Sequence, residues 1–337
     1  MSISNRISAL RKIMEEKQID AYIIPSADNH QSEYVGEYFK ARRFMSGFTG
    51  SAGTLVITKE QAGLWTDGRY FIQAENQLAG SGIDLFKMGE EGVPTVEDFI
   101  KEKTPVGGAL GFDGRLISAL EGLDLARALK EKNVTIKYEY DLVDMIWEDR
   151  PALSEESAFA LDVKYAGEGF ESKINRIRDV MRKNNASMHV VTTLDEVAWI
   201  FNIRGNDVSY TPVVLAYAII TLDKAYLFID ENKLDESIKA DFAKFNIEIK
   251  PYNDIYEFIK NIDKKECVML DPERINYSLY NNIPDDIEKI EIENPAVLMK
   301  AVKNETELKN TRNAYIKDGI ACTKFMYWLK NNVGKIK

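Results

Sequence analysis

Two stretches of the chain carry the same hydrophobic rhythm. In NRISALRKIMEEKQIDAYII (5–24) the apolar residues Ile7, Leu10, Ile13 and Met14 recur at i, i+3, i+6 and i+7, the spacing of one helix face. In SKINRIRDVMRKNNASMHVV (172–191), Ile174, Ile177, Val180 and Met181 repeat it at a constant offset of 167 residues, with Arg11 and Arg178 also in register. Each run leads into a short apolar strand, Ala21–Ile24 and Met188–Val191. A second matched pair follows. VITKEQAGLWTD (56–67) and IITLDKAYLFID (219–230) each read as apolar strand, polar turn, apolar strand, the pattern of a β-hairpin. Helical stretches, Tyr70–Leu78 and Lys233–Phe245, come next. The pattern predicts an α/β fold of two tandem domains with one architecture, each a central sheet with helices around it. The stripes at 7, 10, 13, 14 and at 174, 177, 180, 181 are expected to face the two cores.

The first domain closes at Trp147-Glu148-Asp149-Arg150-Pro151, since proline does not continue a helix. Ala152–Phe170, with its Ser, Glu and two glycines, reads as a linker. The second domain closes near Asn294-Pro295. The expected division is 1–155, 156–297 and 298–337. In the last piece Asn304 and Glu307 form a capping-box pair at the head of a helix rich in apolar residues: Leu308, Tyr315, Ile320, Phe325 and Trp328. About forty residues do not make a domain. This helix reads as the first element of a further domain, and its apolar side chains lack the surface they should cover.

Composition narrows the function. The 337 residues hold 44 Lys+Arg against 54 Asp+Glu, a net charge of -10, which argues against nucleic acid as a partner. The longest apolar run, Val213–Leu222, is about half a membrane span, so no membrane is expected. The N-terminus has no apolar signal region. Two distant cysteines, Cys267 and Cys322, exclude a disulfide scaffold or a four-Cys zinc site and fit a reduced, cytoplasmic compartment. Two histidines, His30 and His189, are too few for a His-rich metal site.

The glycine run Gly47-Phe48-Thr49-Gly50-Ser51-Ala52-Gly53-Thr54 has no following lysine and leads into a strand, so it is not a phosphate loop. Its glycines suit a tight backbone path. Ser51 lacks the G-x-S-x-G elbow of a hydrolase nucleophile. His30, in SADNHQSEY, reads as a polar loop residue, and His189 as a strand histidine. Asp271-Pro272-Glu273 reads as a turn, and Asp195-Glu196 as a helix start. Arg69 stands out. It follows Asp67-Gly68 at the end of the first hairpin, where the second copy has Asp230-Glu231-Asn232, so the fold itself does not require an arginine there. A structural ion pair is the competing reading.

PSADNHQSEY, RRFMSGFTGSAGT, LWTDGRYFIQAENQL and KMGEEGVPT resemble the N-terminal domain of the cytosolic-type Xaa-Pro aminopeptidases. LDEVAWIFNIRGNDVSYTPVVLAYAII resembles their second domain, and AVKNETELKNTRNAYIKDGIACTKFMYWL the opening helix of their catalytic domain. Tyr315 departs from the histidine common there. The resemblance implies two tandem creatinase N-terminal-like domains with mixed sheets, preceding a "pita-bread" catalytic domain that binds two metal ions, typically Mn²⁺, through ligands absent from this chain. It implies a metallopeptidase that releases the first residue of peptides with Pro second, and a homodimer. It makes this chain the non-catalytic portion that shapes substrate access, inactive alone, with Arg69 and His30 as substrate-binding candidates. A stand-alone binding module for proteins or peptides, built on the same fold without catalysis, is the alternative.

Overall fold

The structure is a computed structural model, and it describes residues 1–335. The first sheet is built from β1 (Ala21–Pro25), β2 (Thr54–Thr58), β3 (Ala62–Thr66), β4 (Asp84–Lys87), β5 (Ala109–Phe112) and β6 (Thr135–Lys137), in the order β4-β3-β2-β1-β5-β6. A short ladder joins β7 (Phe159–Ala160) to β9 (Ile203–Arg204). The second sheet comprises β8 (Met188–Val191), β10 (Ala216–Thr221), β11 (Ala225–Ile229), β12 (Ile247–Lys250), β13 (Cys267–Leu270) and β14 (Glu288–Glu291), in the order β12-β11-β10-β8-β13-β14. Strand for strand the two topologies are the same. Each central strand runs antiparallel to the hairpin strand on one side and parallel to the strand on the other. The repeated hydrophobic pattern therefore encodes a duplicated mixed sheet.

Helix α1 (Ile3–Glu16) starts at Ser2, whose side chain accepts from Asn5 N–H. Its stripe of Ile7, Leu10 and Met14 is buried, as are Ile174, Ile177 and Met181 in the matching helix Phe170–Lys183. Ile13 and Val180 are only half-buried. Each lies one residue, about 100° of helical rotation, from the buried methionine beside it, and so falls on the flank of the stripe. The conserved offset also fixes polar detail. Arg11 Nε donates to Thr58 O at 2.8 Å, and Arg178 Nε to Thr221 O at 2.8 Å, so the same arginine caps the same hairpin corner twice.

The segment expected as a linker is folded onto the second domain. Ala158 N–H donates to Lys233 O and Leu161 N–H to Asn202 O, and a short helix occupies Val163–Ala166. Its backbone groups find partners along the edge of that domain, so they order there rather than in water. The final helix, Glu305–Asn332, has the expected capping box at Asn304 and Glu307. It buries no residue; Asn304 Nδ2 holds its start to Ala166 O at 2.8 Å.

The two domains meet through equivalent segments. Ala119 N–H donates to Ile275 O and Tyr277 N–H to Ile117 O, both at 2.8 Å. Ser118 and Asn276, one on each side, each cap the helix that follows. Tyr277 passes into the core of the first domain, against Phe112 and Tyr138. It fits because position 122 is glycine: a Cβ there would stand 2.2 Å from the ring of Tyr277. Gly122→Ala sets a helix-propensity gain of about 1 kcal/mol against overpacking of about 1–3 kcal/mol. The clash is with a buried ring that has no room to yield, so we expect net destabilisation, read as a lower midpoint in urea melts.

Candidate functional site

Helix Ala41–Ser46 ends at Gly47 in the left-handed conformation (φ 74°), and the glycine run turns back toward β2. Arg42 holds this turn from inside, donating to Ser26 Oγ at 2.9 Å, Phe48 O at 2.5 Å and Gly50 O. Gly50 is required: its Cβ would lie 2.2 Å from Phe48 Cζ and 2.8 Å from Tyr70. Ser51 Oγ is hydrogen-bonded to Tyr70 Oη at 2.7 Å, and among the described residues no histidine or acid is hydrogen-bonded to it as a base.

Tyr70 leads back to Arg69. After β3 the chain turns at Asp67, whose carboxylate accepts Arg69 N–H at 3.1 Å and, at 2.8 Å each, Nε and Nη2. These bonds hold the Asp67 carboxyl at about 2, below its ordinary value. The pair is open to water, with 67% of the Arg69 side chain exposed. The ion pair weighed as the competing reading is thus present. The same triplet recurs at Asp113-Gly114-Arg115, where Asp113 accepts Arg115 N–H, Nε and Nη2 in the same way. The Asp-Gly-Arg turn therefore makes its own forked pair wherever it occurs. What differs is what each arginine meets: Arg115 also reaches Asp141 and is two-thirds buried, while Arg69 is left facing solvent. The second triplet was legible in the sequence as a repeat of the first. It is structural; Arg69 makes the same fork with Asp67 but stays exposed to solvent.

Beside this turn a cleft of ≈ 360 Å³ opens between the first domain and the loop Val208–Tyr210 of the second, with Arg42, Arg43, Glu33 and Ser51 on its walls. A cleft of ≈ 470 Å³, lined by Glu196, Arg274 and Lys300, lies on the far side of residues 31–34.

His30 lies in a polar loop, as expected, but is not exposed there. It is fully buried: Nδ1 is 2.6 Å from Thr192 O, Nε2 is 2.7 Å from Tyr252 Oη, and the ring lies 4.2 Å from that of Tyr217. All three partners belong to the second domain. Both ring nitrogens are engaged by groups of the second domain, so His30 pins the two domains together at the edge of the ≈ 470 Å³ cleft that it helps to line. The Thr192 carbonyl fixes the tautomer with hydrogen on Nδ1, leaving Nε2 to accept from Tyr252. Burial pushes its pKa below the ordinary value, against the opposing pull of Asp28 and the Thr192 carbonyl. His189, on β8 as expected, is buried between Met269 O and Asn294 Oδ1, and burial lowers its pKa too. Asp271 caps its own turn, and Asp195 and Glu196 open a helix and bind Lys300.

The residues also decide what metal chemistry they can hold. Among the described residues no group of three or more His, Cys, Asp or Glu stands together, so they do not fit a dinuclear manganese centre.

Creatinase/prolidase N-terminal domain models match residues 6–146 and 149–307. Xaa-Pro aminopeptidase 1 of Dictyostelium discoideum is 38% identical over 99% of the chain and 54% of its own length. Aminopeptidase P2 of Arabidopsis thaliana is 36% identical over 99% and 52%. The chain belongs to the creatinase/prolidase N-terminal domain family. Its two domains are creatinase N-terminal-like, and it spans about half the length of the relatives it matches. The solved X-prolyl aminopeptidase of Caenorhabditis elegans, described as a cytosolic enzyme with a di-nuclear active site, superposes on all of the chain and 57% of its own length, with a TM-score of 0.95 and 33% identity. No helix among the described residues is long and apolar enough to cross a membrane.

A folded-state histidine pKa below the unfolded value of about 6.5 means the unfolded chain binds more protons in that window. Stability is then full above about pH 6.5 and falls as pH drops toward the folded value. We expect urea midpoints to fall between pH 7.5 and 5, and His30→Gln to flatten that slope while lowering stability throughout.

Proposed function

We propose that these two domains are the non-catalytic, substrate-access portion of an Xaa-Pro aminopeptidase, a metal-dependent cytoplasmic hydrolase that releases the first residue from peptides with Pro second. The observation that carries this reading is the likeness to an X-prolyl aminopeptidase along the whole chain. Its bond is a tertiary amide with no N–H, so recognition has to come from the rest of the peptide. Arg69 is suited to that task. Its forked donors match a peptide carbonyl or carboxylate, and its pair with Asp67 is solvent-exposed and easily exchanged for a substrate oxygen. Since the described residues offer no manganese donor set, their role is recognition and exclusion. We place the divisions at 155 and 297, and read the complete enzyme as a homodimer.

In the complete enzyme, Arg69→Ala should lower kcat/KM about tenfold or more, the loss of a charge-assisted hydrogen bond, with an unchanged melting temperature. Unchanged kinetics with a lowered melting temperature would make Arg69 purely structural. Residues 1–337 assayed with excess Mn²⁺ and an Arg-Pro-Pro peptide should show no turnover above a mock preparation; activity that follows the purified chain would refute the assignment.

A further inference from the structure

Among the described residues, two arginines on the wall of the ≈ 360 Å³ cleft have no carboxylate paired with them. Arg42 is only 5% exposed, yet its three contacts are all to neutral oxygens, of Ser26, Phe48 and Gly50. A guanidinium has five N–H groups, so two remain. Next to it Arg43 is exposed. Lys40 and Arg69 are paired, with Glu37 and Asp67, whereas among the described residues Arg42 and Arg43 have no acidic partner. Two adjacent unpaired guanidiniums, one of them buried, are costly unless an anion arrives. The strain registers in Arg42, whose pKa is pushed down to about 10 by burial and then by Arg43. The hydrogen bonds of Arg42 explain how the glycine turn is held; they leave its charge uncompensated.

We infer that this cleft takes the C-terminal carboxylate of a short peptide, with Arg43 and the inner Arg42 as its cationic partners. The inference rests on the reading of the neighbouring Arg69 as a peptide contact. A volume of ≈ 360 Å³ suits the end of a peptide rather than a folded segment. Glu33, on the same cleft, lies within the field of Arg69 and would repel a carboxylate, which directs it to the Arg42–Arg43 side. Tyr210 stands at the mouth, fully exposed and with φ 63°, a conformation costly for a bulky residue and common at ligand clamps.

The test is an NMR titration of the chain at constant ionic strength with Gly-Pro-Gly, its C-terminal amide, and acetate, following arginine Nε–H signals. The acid should shift the Arg42 and Arg43 signals and bind about tenfold or more tightly than the amide. Arg43→Gln should erase that preference without changing the melting temperature; it is the informative variant, because Arg42 substitutions would also loosen the glycine turn. Equal binding of acid and amide overturns the subsite, and so does acetate saturating at the same concentration as the peptide, which would make this a general anion pocket. Arg69→Ala separates the two readings. If it leaves both peptides' affinities untouched while the acid preference persists, the Arg69 assignment fails and the subsite stands.

Discussion

The two hydrogen bonds exchanged between Ile117–Ala119 and Ile275–Tyr277 set everything that lies between the domains. Each is an ordinary backbone bond, but they are reciprocal, and they pair the same structural position in each copy of the fold. With Tyr277 inserted beside Gly122, and Leu116 and Ala119 packed in turn among Leu279 and Ile283 of the second domain, neither domain completes its core without the other. An isolated domain would expose these side chains to water. The interface is therefore a continuation of the cores rather than a contact between finished surfaces.

His30 extends the same constraint toward the cleft. It leaves the first domain, ends among Thr192, Tyr217 and Tyr252 of the second, and fixes the loop that runs on to Glu33 and Tyr34. The walls of the cleft come from different domains, so its width depends on this pin. A neutral imidazole donates to one neighbour and accepts from the other without bringing charge into a buried site, a balance no other side chain supplies in the same shape.

Charge distribution separates the scaffold from the site. Arg115, Asp113, Asp141 and Arg150 form a closed network in which every charge has an opposite partner. Around the glycine turn the accounting stays open: Arg42 is buried among neutral oxygens, Arg43 has no acidic partner among the described residues, and the pair of Arg69 is exposed. A fold optimised only for stability would have neutralised these groups as it did around Asp141.

The sequence by itself determined the duplication. Helix stripes, central strands and hairpins were legible because their periods of 3.6 and 2 are local, and two copies at one offset confirm each other. It also singled out Arg69, since the second hairpin lacks its counterpart. Tertiary structure alone decided what His30 does. In SADNHQSEY its neighbours are polar, and the partners that bury it lie at Thr192, Tyr217 and Tyr252, far along the chain. The same holds for Arg42: the sequence shows two adjacent arginines, and only the fold sends one inward to grip Phe48 and Gly50 and leaves the other facing the cleft. The stretch 152–170 looked like a linker because it lacks periodicity, but its backbone finds hydrogen-bond partners on an edge that exists only once the second domain has folded. Local pattern specifies which surface of an element is apolar; which distant groups meet it is settled by packing two such surfaces together.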